Sequence, residues 1–217
     1  MTKEKGVLES TPLHRLFRTK AEAVSAIVKE ATGVEDAIAY ALDICNQKEA
    51  CTILPSGCQH NLSEKAQALC DGKPAKLIAA PDLSQPHWEI LSAECDKAGI
   101  GVIKDGLRNH LGGIDIGITW AQFGIAETGT LVIDSTNEDL RLTTMISEIH
   151  IAFLPLSSIC ESAADIVGPL QSKMKNHSNY MAMVTGASRT ADIERVLALG
   201  VHGPLEMHIV LIRDENV

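Results

Sequence analysis

The sequence predicts an α/β domain: a largely parallel, helix-covered sheet with a helical segment at its N-terminal end. Three observations predict it. The 217-residue chain is 45% hydrophobic but only 3% aromatic, so its core is built from Ile, Leu, Val and Ala, as buried parallel strands are. Short apolar runs alternate with helical stretches from Cys51 onward, the pattern of strands joined by crossover helices. No repeat, low-complexity tract or linker interrupts the chain, and its length suits one domain.

The elements follow in chain order. Leu13, Leu16, Phe17, Val24, Ile27, Val28 and Ala31 recur at helical spacing up to Gly33. Thr32 and Glu35 fit a capping box for a second helix, with Ala37, Ile38, Ala41, Leu42 and Cys45 on its apolar face. Residues 1–50 therefore read as a helical part and 51–217 as the sheet-containing core of the same domain. In that core "CTIL" is followed by a helix to about Cys70, then "AKLIAA", a helix over Ser84–Ala98 closed by Gly99, and "IGVI". "DIGIT", "TLVID", "HIAFL", "MAMVT" and "MHIVLI" complete the strands, with helices around Leu140–Ser147, Ser157–Gln171 and Ser188–Leu199. Ligands of such sheets bind beyond the carboxyl ends of the strands, which nominates the loops after Thr119, Asp134, Pro155 and Thr185.

Charge and cysteine usage narrow the function classes. A net charge of −9 disfavours nucleic acid and anionic membrane as partners. Cysteines 45, 51, 58, 70, 95 and 160 form no Cys-x-x-Cys and have no paired histidines beside them, so neither zinc nor an iron–sulfur cluster is expected on this chain. "MTKEKGVLES" lacks an apolar leader core, and no apolar run approaches the ~18 residues of a membrane span. A cytoplasmic protein with reduced thiols is the expectation. Glycine-rich dinucleotide and phosphate loops and the Gly-x-Ser-x-Gly elbow are all missing from the sequence.

Four segments carry candidate chemistry. In "MVTGASRTADIE", Ser188 fits the cap of a helix that follows a strand and a glycine, a natural anion-binding corner. Asp192 and Glu194 complement the dipole of that helix, whereas Arg189, in its first turn, does not. Either an internal carboxylate or a ligand anion answers that guanidinium. In "GITWAQFGIAETGTLVID", Glu127 stands between Ile125-Ala126 and Leu131–Ile133. A carboxyl near such an apolar layer has a raised pKa unless Thr128, Gly129 and Thr130 hold it. It reads either as a general base or nucleophile or as a satisfied turn carboxylate.

In "DLRLTTMISEIH", Arg141 reaches an anionic ligand or pairs with Glu138 or Asp139, and His150 reads as a hydrogen-bonded structural ring. In "LGVHGP", Gly200 ends a helix and Gly203 is held extended by the following proline. His202, beside that helix C-terminus, is favoured in its protonated form, as an acid, a ligand-binding group or a simple cap.

Taken together, "AETGTL", the "RL" pair, the "HI" strand, "SRTADIE" and "GVHGP" resemble the LUD (lactate utilization) domain family, and within it the single-domain LutC/YkgG-type subunit. The resemblance is dense from about Gly113 to Ile212. It implies a fold similar to the isomerase/CoA-transferase-like superfamily and a role in oxidising L-lactate to pyruvate beside iron–sulfur partner subunits. Larger members carry ferredoxin-like cysteine runs, and this chain resembles the cluster-free component, with no cofactor of its own. Whether it turns over substrate within an L-lactate dehydrogenase or oxidase complex stays open.

The family pattern carries over to Glu127 and His202 as candidate catalytic groups. It also covers Thr128, Gly129, Thr130, Arg141, Ser188, Arg189, Thr190 and Gly203 as residues binding a small anionic ligand, and Asp192 and Glu194 as orienting groups. The sequence departs from the pattern at Trp120, where glycine is usual after "GIT", at Gln122-Phe123, and in "TGAS" for "SGPS". A narrower pocket and a different ligand would follow. A stand-alone enzyme for a phosphorylated, CoA-linked or folate-like substrate, with Glu127 as base or nucleophile, is the alternative. A degenerate site left in a structural or regulatory partner is a third reading, and homo-oligomerisation is open.

Overall fold

The computed structural model describes residues 11–50, 64, 76–110, 113–175, 180–190, 198–200 and 202–213. Its centre is a six-stranded sheet with every pair parallel. Numbered along the chain, the strands lie in the order β1 (Ala26–Ala31), β12 (Glu206–Ile212), β7 (Ser147–Pro155), β4 (Ile114–Trp120), β2 (Leu77–Ala79) and β3 (Gly101–Ile103). Val28, Ile209, Ala152 and Thr119 stand side by side across four of them. Both faces of this sheet are covered, which is why β4, β7 and β12 read as nearly continuous apolar runs.

On one face lie α2 (Val34–Gln47) and α3 (Gln85–Ala98), which pack Ile38, Ala41, Cys45, Leu91 and Cys95 against Ile116, Ile118, Ile151 and Val210. Glu35 and Asp36 in the first turn of α2 complement its dipole. The other face is covered by α1 (Pro12–Ala23), by α4 (Glu138–Ile146) and by a second sheet. That sheet has the order β8 (Ile159–Cys160), β5 (Phe123–Ile125), β6 (Thr130–Asp134), β9 (Met181–Val184), and β6 is antiparallel to both neighbours. Leu131, Ile133 and Ile159 from it join Phe17 and Ala21 of α1 over Val28, Leu154, Ile209 and Leu211. A short α5 (Val167–Met174) precedes β9.

Five expectations are corrected. The helical spacing through Val24–Ala31 belongs to a strand: Ala26, Val28 and Ala31 are buried while Ile27 and Lys29 face out. The helix stops because Ser25 adopts φ 67°, which turns the chain into β1, so the N-terminal part contributes an edge strand as well as helices. At the start of α2, Asp36 rather than Glu35 reaches back, its Oδ2 accepting from the Thr32 amide at 2.9 Å and hydroxyl at 3.2 Å. "TLVID" and "MAMVT" form β6 and β9 of the second, mixed sheet and not parallel strands of the first.

The stretch Ser157–Gln171 is helical only from Val167; before it lie two 3-10 turns, Leu156–Ser158 and Ala163–Ile166, around β8. Finally, Ser188–Leu199 does not begin or end as a helix. Arg189–Thr190 (β10) pairs antiparallel with Ala198–Leu199 (β11). Residues 191–197, including Asp192 and Glu194, lie outside the described residues, as do "CTIL" and, apart from helical Glu64, the helix expected to end near Cys70.

Candidate functional site

Most of the ligand-binding residues expected from the sequence converge on one corner, where α1 hands the chain to β1. Gly129 has φ 67°, and a Cβ there would stand 2.3 Å from the Ala21 nitrogen, so only glycine lets the Thr-Gly-Thr turn lie on the last turn of α1. Gly186, at φ 72°, meets the next residues in the same way: a Cβ would stand 2.1 Å from the Val24 carbonyl oxygen. The Thr130 hydroxyl is 2.7 Å from those of both Thr128 and Thr185, lacing the turn before β6 to the residue after β9.

Ser188 donates its amide to the Pro204 carbonyl at 3.0 Å, and Gly203 lies against its side chain. Arg189 is exposed and reaches the Ser25 hydroxyl at 3.4 Å. Thr190 is half-buried beside it, and His202 is exposed in the turn leading to β12. The corner therefore sits at the amino ends of β1 and β12. Because Arg189 is extended in β10, it does not stand in a first helical turn, and the clash with a helix dipole disappears. Ser188 likewise caps no helix, and the described residues before Gly200 and His202 are strand.

Two expected residues stand apart from this corner. Glu127 is exposed rather than set in an apolar layer; its Oε1 accepts the Ala163 amide at 2.9 Å, at the start of a 3-10 turn. Arg141 pairs with neither Glu138 nor Asp139. It donates to the Ser135 and Thr136 carbonyls at 2.7 and 2.8 Å, with its guanidinium over the Tyr180 ring. Glu138 pairs with Arg108 instead, and Asp139 accepts the Leu107 amide. His150 is fully buried with Nε2 2.8 Å from the Thr119 hydroxyl. Burial, and then neighbouring His208, lowers its pKa to about 4, so the ring is neutral.

The opposite, carboxyl edge of the sheet holds groups that the sequence reading missed. From β2 the chain runs through α3 to β3 on one side. From β4 it runs through the second sheet and α4 to β7 on the other. The ends of β2 and β4 therefore flank the switch point of the sheet, where ligands of α/β folds bind. Asp82, just past β2, accepts the Trp120 amide at 2.9 Å across that gap through Oδ2. Its Oδ1 is buried and, among the described residues, has no hydrogen-bond partner. Burial, partly opposed by the Trp120 amide and by Asp82's own backbone amide, raises the Asp82 pKa to about 6.

The Trp120 ring stands edge-on to Phe153, 5.5 Å between centroids, in the cluster that also holds Leu83 and Trp88. On the same edge a cavity of about 530 Å³ is lined by residues 32–36 and His87, whose Nδ1 is 2.9 Å from the Ser84 hydroxyl. The only signal for Asp82 in the sequence was an acid directly after the apolar run "LIAAP". Among the described residues no group of three or more His, Cys, Asp or Glu side chains is placed to hold a metal. Nor is any helix long and apolar enough to cross a membrane.

Comparison with known proteins adds the following. The LUD domain model matches residues 14–212. Lactate utilization protein C of Bacillus subtilis is 31% identical over 137 residues, 62% of this chain and 53% of that protein. The protein of the same name from Halalkalibacterium halodurans is 32% identical over 103 residues, 46% of this chain and 45% of that one. An uncharacterized protein of Neisseria meningitidis is 31% identical over 153 residues, 68% of this chain and 65% of its own length. The chain spans about half the length of the first two relatives it matches. The crystal structure of a DUF162 family protein from Deinococcus radiodurans has the same fold, with a TM-score of 0.58 at 15% identity, covering 95% of this chain and 99% of that one.

Proposed function

The chain belongs to the LUD domain family, and from that premise we propose that it is a lactate utilization protein. In this reading it is the cluster-free subunit that supports oxidation of L-lactate to pyruvate beside iron–sulfur partner subunits. The observation that carries the reading is the family match over residues 14–212, joined to relatives named lactate utilization protein C at about 30% identity. The geometry supports a binding role for the corner at the amino ends of β1 and β12. Arg189 is exposed there, and among the described residues no carboxylate forms an ion pair with it, so its guanidinium is open to a carboxylate from outside the fold. Glu127, exposed and engaged with the Ala163 amide, supplies no support for a stand-alone enzyme built on it.

Affinity purification from lactate-grown cells tests this reading. The tagged chain is expected to bring down protein-bound iron and sulfide in stoichiometric amounts, and Arg189→Ala to reduce that yield while leaving the melting temperature unchanged. Recovery of the wild-type chain alone, with no iron-containing partner, overturns it.

A further inference from the structure

We propose that the crevice between the carboxyl ends of β2 and β4 binds a small hydroxylated ligand, whose hydroxyl completes the hydrogen bonding of Asp82 Oδ1. Three observations at one place carry this. First, the crevice is the switch point of the sheet, the position where the connections diverge and leave room outside the strand ends. Second, Asp82 is half satisfied: Oδ2 takes the Trp120 amide at 2.9 Å, while Oδ1 is buried with no partner among the described residues. Buried polar atoms of native proteins are almost always paired, and an orphan asks for an explanation. A structural ion pair is not that explanation, because among the described residues no Lys, Arg or His forms an ion pair with Asp82. Third, Trp120 at the end of β4 is only partly buried, its ring edge-on to buried Phe153, and an aromatic side chain beside a placed polar group is what small ligands occupy.

The choice of a hydroxyl follows from the chemistry of a carboxyl that titrates near neutrality. A hydroxyl donates to the carboxylate form and accepts from the protonated form, so it satisfies Oδ1 in both. An ammonium group fits only the first, and a carboxylate ligand only the second. Asp82 is itself partly exposed. A 2-hydroxy acid is one member of this ligand class. Only that choice of probe rests on the lactate reading above.

The test follows the Trp120 backbone amide by NMR during titration of the full chain at neutral pH. The probes are L-lactate, propionate, which lacks the hydroxyl, and 1,2-propanediol, which lacks the carboxylate. At least one hydroxylated compound is expected to move the Trp120 resonance saturably, and propionate is not. Asp82→Asn, which keeps the shape, is expected to weaken binding by about ten-fold or more, and Asp82→Ala to abolish it. Saturation by propanediol but not lactate supports the crevice and counts against the lactate reading. The absence of any saturable shift, or unchanged affinity in both Asp82 variants, overturns the crevice even where the iron-containing partners are recovered.

Discussion

Asp82 and His150 pull the pH dependence of folding in opposite directions. His150 has a pKa of about 4 in the fold against 6.5 in the unfolded chain, so the unfolded state binds more protons between those values. Its contribution to stability is complete above pH 6.5 and is lost as pH falls toward 4, by about 3 kcal/mol in all. Asp82 is raised from 3.8 to about 6, so the folded state binds more protons, and its contribution, present at low pH, is lost as pH rises through that interval by a similar amount. The two offset each other in the native protein. Asp82→Asn removes one of them, and denaturant unfolding of this variant is expected to show stability rising more steeply from pH 4 to 6.5 than in the wild type. Parallel profiles for the two proteins would refute the assignment. At the corner, Gly129→Ala forces both a left-handed alanine and a contact at 2.3 Å with the Ala21 nitrogen. A loss of about 3 kcal/mol is expected by chemical denaturation; a loss below about 0.5 kcal/mol would show that α1 is not held as described.

At the scale of elements, α2 is fastened at its far end by charge as well as by its apolar face. Lys48, its C-terminal cap, lies 2.8 Å from Asp115 Oδ1 on β4 and 3.2 Å from Glu148 Oε2 on β7. Asp115 is fully buried and also accepts the Leu77 amide of β2 through Oδ2. One cation thus ties a helix to three strands. Lys48→Met removes the countercharge from a buried carboxylate, and a loss of about 3 kcal/mol is expected, read as a lowered denaturation midpoint; an unchanged midpoint contradicts the network.

The elements also show what a single sequence can and cannot disclose. α3 was legible because Ser84 and Gly99 mark its ends, and β4, β7 and β12 because central parallel strands are apolar throughout. β1 was hidden because Val24, Ile27, Val28 and Ala31 fit helical spacing, and the break, Ser25 in a left-handed conformation, falls on a residue that gives no warning. The ends of the "SRTADIERVLAL" stretch form an antiparallel bridge with each other despite their helical period. For the site, the "ETGT" and "SRT" segments announced a shared corner. Asp82 did not announce itself, since its meaning comes from an amide 38 positions away in the sequence.

Across the whole molecule the two ends of the central sheet divide the work. The amino ends of β1, β12, β4 and β7 carry the Lys48 network and the family-signature corner, where Gly129 and Gly186 let the turn before β6 and the loop after β9 lie against the backbone at the end of α1. The carboxyl ends carry the open cavity, Trp120 and the half-satisfied Asp82. The helices on one face and the second sheet on the other hold these two edges in fixed relation through aliphatic packing. Such a scaffold suits a subunit that binds a small molecule on one edge and presents a second surface to partners, which is the role proposed within lactate utilization. The most direct test is growth of the native host after deletion of the gene, on L-lactate and on glucose as sole carbon sources. Loss of growth on L-lactate alone, restored by the wild-type gene, is the expected result, and undiminished growth on L-lactate would contradict the account.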